Sequence, residues 1–219
     1  MRIQIIGKYL ALVLALSQIS ACAVVAVGAA STGVVGGIAI MADRRTPAVQ
    51  AIDKGIELEV GNALAKRYGD DAHINVTSFN QKVLLTGEVK DAEIKTQAEL
   101  YVKANKNVRS VFNELVIGPN SSFTSRANDS YLESKIKTQM IFTDQLPSNS
   151  MAIVAEGSSV YLMGILTQNE AAIARKVASN TNGVKDVYAY FDIISEAEKV
   201  RLEKEGKADQ SQPSSPPAS

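Results

Sequence analysis

The feature that most constrains the fold of this chain is an internal repeat of about 76 residues. Segment 83–87 (VLLTG) aligns with 160–164 (VYLMG) at an offset of 77. Segment 108–112 (VRSVF) aligns with 184–188 (VKDVY) at an offset of 76. An upstream apolar stripe repeats at the same offset, so that Ile56, Val60 and Leu64 match Leu132, Ile136 and Met140. Three segments that keep their order and spacing indicate a duplication, and therefore two small copies of one fold.

Each copy has the element order α-β-β-α-β. In the first copy, apolar residues at every fourth position from Ile52 to Leu64 predict a helix over 50–68. The rest of this copy is predicted to form strands at 74–79, 83–89 and 108–117 and a second helix at 92–106. The second copy repeats the order, with predicted helices at 129–142 and 168–180 and strands at 151–156, 159–166 and 184–194. The last strand of each copy joins the hairpin through a helical crossover. The prediction is an α+β protein with two tandem three-stranded sheets, each backed by two helices.

The N-terminus has the parts of a bacterial lipoprotein signal. Arg2 and Lys8 supply positive charge, and 9–16 (YLALVLAL) is apolar but too short to span a bilayer. Small residues then precede Cys22, as in the lipobox at which a peptidase cuts and the cysteine is acylated. We predict a signal peptide over 1–21 and a lipid anchor at Cys22. The alternative is an ordinary secretory signal with Cys22 buried downstream.

The segment after the cysteine is uncharged and rich in Ala, Gly and Val. Residues 23–42 number twenty, which formally meets the length of a membrane span. Four glycines and many small residues favour a tether at the membrane, and a span is the alternative. Ala23, not Asp, follows the cysteine, and by resemblance to enteric lipoproteins this favours the outer membrane.

These patterns divide the chain into six predicted segments. A linker rich in Gly, Pro, Ser and Asn separates the two copies, and the end of the chain is charged and then rich in Pro and Ser, which predicts disorder. The segments are the signal peptide 1–21, the lipid-anchored tether 22–48, the first domain 49–118, the linker 119–127, the second domain 128–195 and the disordered tail 196–219.

The repeated motif resembles the BON domain, in which a hairpin ending Val-x-Leu-x-Gly is followed by a helix and Gly-Val-x-x-Val. Segments 160–164 and 183–187 fit this pattern, and so does 83–87. Asn107 replaces the expected glycine in the first copy, and asparagine tolerates the left-handed conformation that often ends a helix. Two copies behind a lipobox and a tether resemble the dual BON-domain outer-membrane lipoproteins.

The resemblance implies a non-enzymatic protein that faces mainly the periplasm and supports outer-membrane integrity, with gathering at division sites. It also implies binding of anionic phospholipid through the first helix of the second BON domain.

The residue types in that helix also favour lipid binding. Beyond its core stripe, a second face carries large apolar side chains beside lysines. The candidate phospholipid-binding residues are Tyr131, Ser134, Lys135, Lys137, Thr138, Ile141 and Phe142. The matching face of the first copy has less apolar bulk, with Lys54, Leu58, Gly61, Ala65 and Tyr68. Such a face suits a lipid interface, and the alternative is that it packs on the other domain.

Other kinds of site find little support. The formal net charge is zero, so no global field attracts nucleic acid. Zinc sites need three or four ligands, usually including His or Cys, and the chain has one of each. His73 is interpreted as a surface residue at the start of a strand. We expect no catalytic residue, metal, cofactor or small-molecule substrate.

Two function classes therefore remain ahead of an enzyme. The favoured one is a module that binds an anionic phospholipid membrane. The alternative is a periplasmic scaffold whose BON domains dock an envelope protein partner.

Overall fold

The computed structural model describes residues 34–35, 38–39 and 43–210, with side chains described for 43–205. The predicted signal peptide 1–21, the predicted anchor Cys22 and most of the predicted tether lie outside the described residues. Two short strands, β1 (Val34–Val35) and β2 (Ile38–Ala39), precede the repeat. Both copies of the repeat, with all their hydrophobic clusters, lie within one compact unit, Ile38–Ser219.

The first module comprises six elements and a single-turn 3-10 helix at Gly69–Asp71. They are α1 (Pro47–Tyr68), β3 (Ala72–Phe79), β4 (Lys82–Val89), α2 (Ala92–Lys103), β5 (Ser110–Asn113) and β6 (Val116–Ile117). Thr46 caps α1 by accepting a hydrogen bond from the Val49 amide at 3.3 Å, and Pro47 occupies the first turn. Strand β4 is antiparallel to β3 and parallel to β5 and β6.

The second module repeats this order with a 3-10 turn at Ser148–Ser150. Its elements are α3 (Phe123–Ile141), β7 (Met151–Glu156), β8 (Ser159–Thr167), α4 (Gln168–Ser179) and β9 (Asp186–Ile194). Strand β8 is antiparallel to β7 and parallel to β9. The predicted α+β fold with helix-backed mixed sheets is confirmed.

A buried aspartate ties the first helix of each module to its hairpin. Residues Asn80 and Gln81 both have positive φ, as in the two-residue turns that match strand twist. The Asp53 carboxylate of α1 accepts their backbone N–H groups at 2.8 and 2.7 Å. In the second module Asp129 does the same for Gly157 and Ser158, at 3.1 and 2.9 Å. The hairpin and the helix are therefore fixed relative to each other in both modules.

The two sheets pack face to face, and the helices cover their outer faces. In β4, Val83 and Leu85 face the helices of the first module, while Leu84 faces the other sheet. In β8, Met163 likewise points between the sheets. This double-sided burial explains why both central strands are nearly continuous apolar runs. The result is a four-layer arrangement of helices, sheet, sheet and helices.

Specific contacts fix this sheet interface. The rings of Phe112 and Tyr190 stack with centroids 4.0 Å apart. The Tyr190 hydroxyl donates to Glu114 Oε1 at 2.6 Å. At the hairpin end, Lys82 Nζ lies 2.6 Å from Asp192 Oδ1. Packing, hydrogen bonding and charge therefore hold the two modules in one orientation.

Helix α3 begins earlier than the sequence predicted. It starts at Phe123, whereas we expected a linker to residue 127 and a helix from 129. The Ser122 side chain caps it by accepting a hydrogen bond from the Ser125 amide at 3.2 Å. The Ser and Asn residues of this segment predicted a loop, but Ser122 is the N-cap at which the helix begins.

The prediction of a disordered tail from residue 196 is wrong for its first part, which forms helix α5 (Glu196–Gln210). Its charged composition suggested disorder, but Arg201 pairs with Glu198 and Glu205 within the helix. Leu202 packs into the sheet interface, and Lys199 lies 2.9 Å from the buried Glu170. Residues 211–219 lie outside the described part of the chain.

Two further details of the first module differ from expectation. The predicted strand over 108–117 is interrupted between β5 and β6, where Leu115 enters the core and is 1% exposed. Asn107 does not adopt the left-handed conformation, since the described non-glycine residues with positive φ are Asn80, Gln81, Gln145 and Ser158. Helix α2 ends instead through Ala104 in the right-handed helical region, whereas Gly183 in the second module has a φ of +106°.

Candidate lipid-binding surface

Core packing fixes which face of α3 points outward. Leu132, Ile136 and Met140 are buried against the second sheet, and Asp129 binds the hairpin turn. The helix therefore cannot rotate without losing its apolar contacts and two hydrogen bonds to a charged acceptor. The opposite face is presented to solvent.

Large apolar side chains occupy that outward face. Tyr131 is 67% exposed, Phe142 is 69% exposed and Ile141 is 37% exposed. Phe123, 82% exposed, adds a fourth that sequence reasoning missed, because the helix was expected to start at 129. Eighteen residues are five full turns of an α-helix, so Phe123 lies in line with Ile141 along the axis. We call these four residues, with Lys135 and Lys137, the α3 surface.

The polar candidates on this helix are not equivalent. Lys135 Nζ donates to the Asn182 carbonyl at 3.1 Å, and Lys137 is exposed. The Ser134 and Thr138 hydroxyls donate back to helix carbonyls four residues earlier, each at 2.9 Å. Their protons are therefore already used within the helix. The two lysines are left as the positive groups that can approach an anionic headgroup.

The matching face of α1 offers much less. Leu58 is exposed, but Lys54 pairs with Glu57 at 3.1 Å and Tyr68 packs against the core of its own module. Gly61 and Ala65 add no bulk. The asymmetry between the two helices, inferred from sequence, is present in the exposed side chains.

The alternative that this face packs on the other domain is wrong. The modules meet through their sheets, and Tyr131, Ile141 and Phe142 remain exposed. The surface is thus uncovered within the described part of the chain. Among the described helices, none combines the length and apolar character needed to cross a membrane.

His73, interpreted from sequence as a surface residue, lies on β3 with its side chain only 19% exposed. Its Nδ1 atom is 3.2 Å from Glu88 Oε2. The two carboxylates that approach it, Glu88 and Glu156, come from distant parts of the sequence, so no local motif marked this cluster.

Comparison with known proteins agrees with this architecture. The sequence matches the BON domain family at residues 52–119 and 128–194. Outer membrane lipoprotein DolP of Haemophilus influenzae is 32% identical over 167 residues, covering 74% of this chain and 86% of DolP. A 21 kDa hemolysin of Actinobacillus pleuropneumoniae is 27% identical over 154 residues, covering 69% of this chain and 79% of the hemolysin. The chain therefore belongs to the BON domain family, as an outer-membrane lipoprotein that carries two BON domains.

Proposed function

We propose that this protein binds anionic phospholipid through the α3 surface while Cys22 anchors it to the outer membrane. In this role it supports outer-membrane integrity from the periplasmic side, including at division sites, and it catalyses no reaction. The likeness to dual BON-domain lipoproteins supports the envelope role. The lipid-binding part rests on the exposed side chains of α3.

The observation that carries the proposal is an apolar helix face that the other module leaves uncovered. Full burial of a large apolar side chain contributes about 1.5–3 kcal/mol. Each lysine near an anionic surface adds roughly 1 kcal/mol. Since these contributions are comparable, apolar area and positive charge are both needed for selective binding. An acyl anchor on the same chain raises the local lipid concentration, so a weak helix contact suffices.

The test uses residues 38–219, the compact unit with both modules and all their cores. Binding is measured by co-sedimentation with phosphatidylglycerol vesicles and with phosphatidylcholine vesicles. Ile141→Glu or Tyr131→Glu should abolish binding to both, because each places a charge in the apolar contact. Lys135→Glu should weaken binding mainly to the anionic vesicles, and added salt should have the same effect.

The matched control is Leu58→Glu, which places the same charge at an exposed apolar residue of α1. It should change vesicle binding little. If Leu58→Glu reduces binding as much as Ile141→Glu while circular dichroism shows both proteins folded, α3 is not the specific lipid site.

A second candidate function is a scaffold that docks an envelope protein. The observation that favours it is a separate group of exposed apolar residues on the first module, Leu100 and Tyr101 of α2 with Val116 and Ile117 of β6. Absence of vesicle binding, together with a single envelope protein cross-linked to this group, would support the scaffold instead of the lipid site.

A further inference from the structure

Three metal-ligating side chains meet where the two modules face each other. His73 of β3 and Glu88 of β4 are directly opposite in the antiparallel register. Glu156, the last residue of β7, reaches them from the second module. One ligand atom from each, a ring nitrogen or a carboxylate oxygen, lies within 4.8 Å of the other two. All three side chains are partly buried, so their positions are fixed by the sheets that carry them.

Neighbouring groups hold the two carboxylates in place. The Ser121 amide donates to Glu88 Oε2 at 3.0 Å. The Asn75 side-chain amide donates to Glu156 Oε2 at 2.8 Å. From the described residues, neither Glu88 Oε1 nor Glu156 Oε1 accepts a hydrogen bond, so each retains free lone pairs. Oriented ligands with supporting hydrogen bonds are what protein metal sites require.

The local charge also favours a cation. The Glu88 and Glu156 carboxylates lie close together in the cluster, and the Asp129 and Glu133 carboxylates line the cleft beside it. A cleft of about 450 Å³ lined by His73, Glu156, Asp129 and Glu133 leads to the cluster. Arg126 also lines the cleft, but it makes no ion pair with a described carboxylate. The cleft supplies an entry path and room for a coordinated water.

We propose that His73, Glu88 and Glu156 bind one divalent transition-metal ion of the Zn²⁺ type between the two modules. One imidazole and two carboxylates suit Zn²⁺, whereas Mg²⁺ and Ca²⁺ prefer oxygen ligands alone. Zinc ligands lie about 2.0–2.2 Å from the ion, and water takes the fourth position. Because Glu156 belongs to the second module and the other ligands to the first, the ion links the modules.

The test is titration calorimetry of ZnCl₂ into residues 38–219, which contain no cysteine, prepared without a histidine tag. One ion should bind per chain, more tightly than Mg²⁺ does. His73→Asn, Glu88→Gln and Glu156→Gln should each weaken binding by at least about 10-fold, since losing even an outer support costs that much. Bound Zn²⁺ should raise the melting temperature of the parent protein but not that of Glu156→Gln.

The matched control is Glu133→Gln, which removes one carboxylate from the same cleft without removing a ligand. Its affinity for Zn²⁺ should differ from that of the parent by no more than about two-fold. This change is much smaller than the loss expected when a ligand is removed. Should Glu156→Gln misfold, Glu156→Asp keeps the charge but shortens the side chain, and it should still lose affinity. Absence of saturable 1:1 binding would overturn the proposal. So would equal losses in Glu133→Gln and Glu156→Gln, which would indicate diffuse attraction to an acidic cleft.

Discussion

At the scale of single residues, two buried aspartates make the same contact in both copies of the repeat. Asp53 and Asp129 occupy equivalent positions in α1 and α3, and each satisfies two N–H groups of a hairpin turn. A charged side chain on the inner face of an amphipathic helix is rare unless it is paired. The turn amides are partners of both aspartates, and their position follows from the strand register. Asp53 also pairs with Arg45 at 2.9 Å.

Asp129→Ala should therefore destabilise the protein by about 1.5–3 kcal/mol, because it removes hydrogen bonds to a charged acceptor and leaves turn amides unpaired. Asp129→Asn, which keeps one acceptor oxygen, should cost less. Urea denaturation followed by circular dichroism measures both. The control is Asp144→Ala, at an exposed residue after α3. If Asp144→Ala lowers the free energy of unfolding as much as Asp129→Ala, the role assigned to Asp129 is refuted.

Residue-level prediction of the candidate surface succeeded where helical periodicity decided the outcome. Tyr131, Ile141 and Phe142 are exposed, as a 100° rotation per residue places them outside the core stripe of Leu132 and Ile136. Lipid contact itself stays a prediction. The cluster around His73 was not predicted. Its members are brought together by the register between β3 and β4 and by the contact with β7, and neither is apparent from the local sequence.

At the scale of elements, a buried carboxylate secures both the segment before α1 and the helix α5. The Arg44 guanidinium binds Glu170 through two nitrogens, at 2.7 and 2.8 Å, and also reaches Glu203 of α5 at 2.8 Å. Lys199 of α5 lies 2.9 Å from the same Glu170. Burial alone would raise the pKa of Glu170, but hydrogen bonds from Arg44, the Thr167 amide and Lys199 lower it to about 2.

This arrangement predicts an acid-sensitive attachment. A carboxyl whose pKa falls on folding contributes stability above its usual value of 4.5, and that stability is lost as pH falls toward 2. The free energy of unfolding should therefore decline over that range, and Glu170→Gln should be less stable at pH 7 with a flatter decline. Denaturation at a series of pH values measures this. The control is Glu93→Gln, at an exposed residue of α2, and an unchanged profile in Glu170→Gln would contradict the prediction.

The elements that were predicted correctly from sequence are those whose apolar residues recur with a regular period, because that period is fixed by packing on the core of their own module. Helix α1 and the central strands β4 and β8 carry regular apolar patterns, and the structure has them where they were predicted. Helix α5 was missed because, beside its local ion pairs, it depends on contacts with Arg44, Glu170 and the sheet interface, which no window of local sequence contains. The start of α3 was missed because one serine cap outweighs a loop-like composition.

At the scale of the whole molecule, the proposed attachment to the membrane rests on Cys22, which lies outside the described residues. Cys22→Ala should release the protein from the membrane fraction or leave its precursor uncleaved, because several acyl chains at ~0.8 kcal/mol per buried CH₂ would be absent. Cell fractionation and the size of the product on a gel measure this. Normal processing with full membrane retention would refute the lipobox interpretation.

The sheet interface has a consequence for the origin of the chain. Glu114 and Tyr190, which share a hydrogen bond across it, are themselves equivalent positions of the repeat, 76 residues apart. Contact between like positions is the mark of a two-fold axis, as in a homodimer of identical subunits. The protein is thus arranged as a dimer fused into one chain. Identical subunits must accept every substitution twice, whereas two modules in one chain can differ, as the apolar outer face of α3 and the more polar face of α1 do.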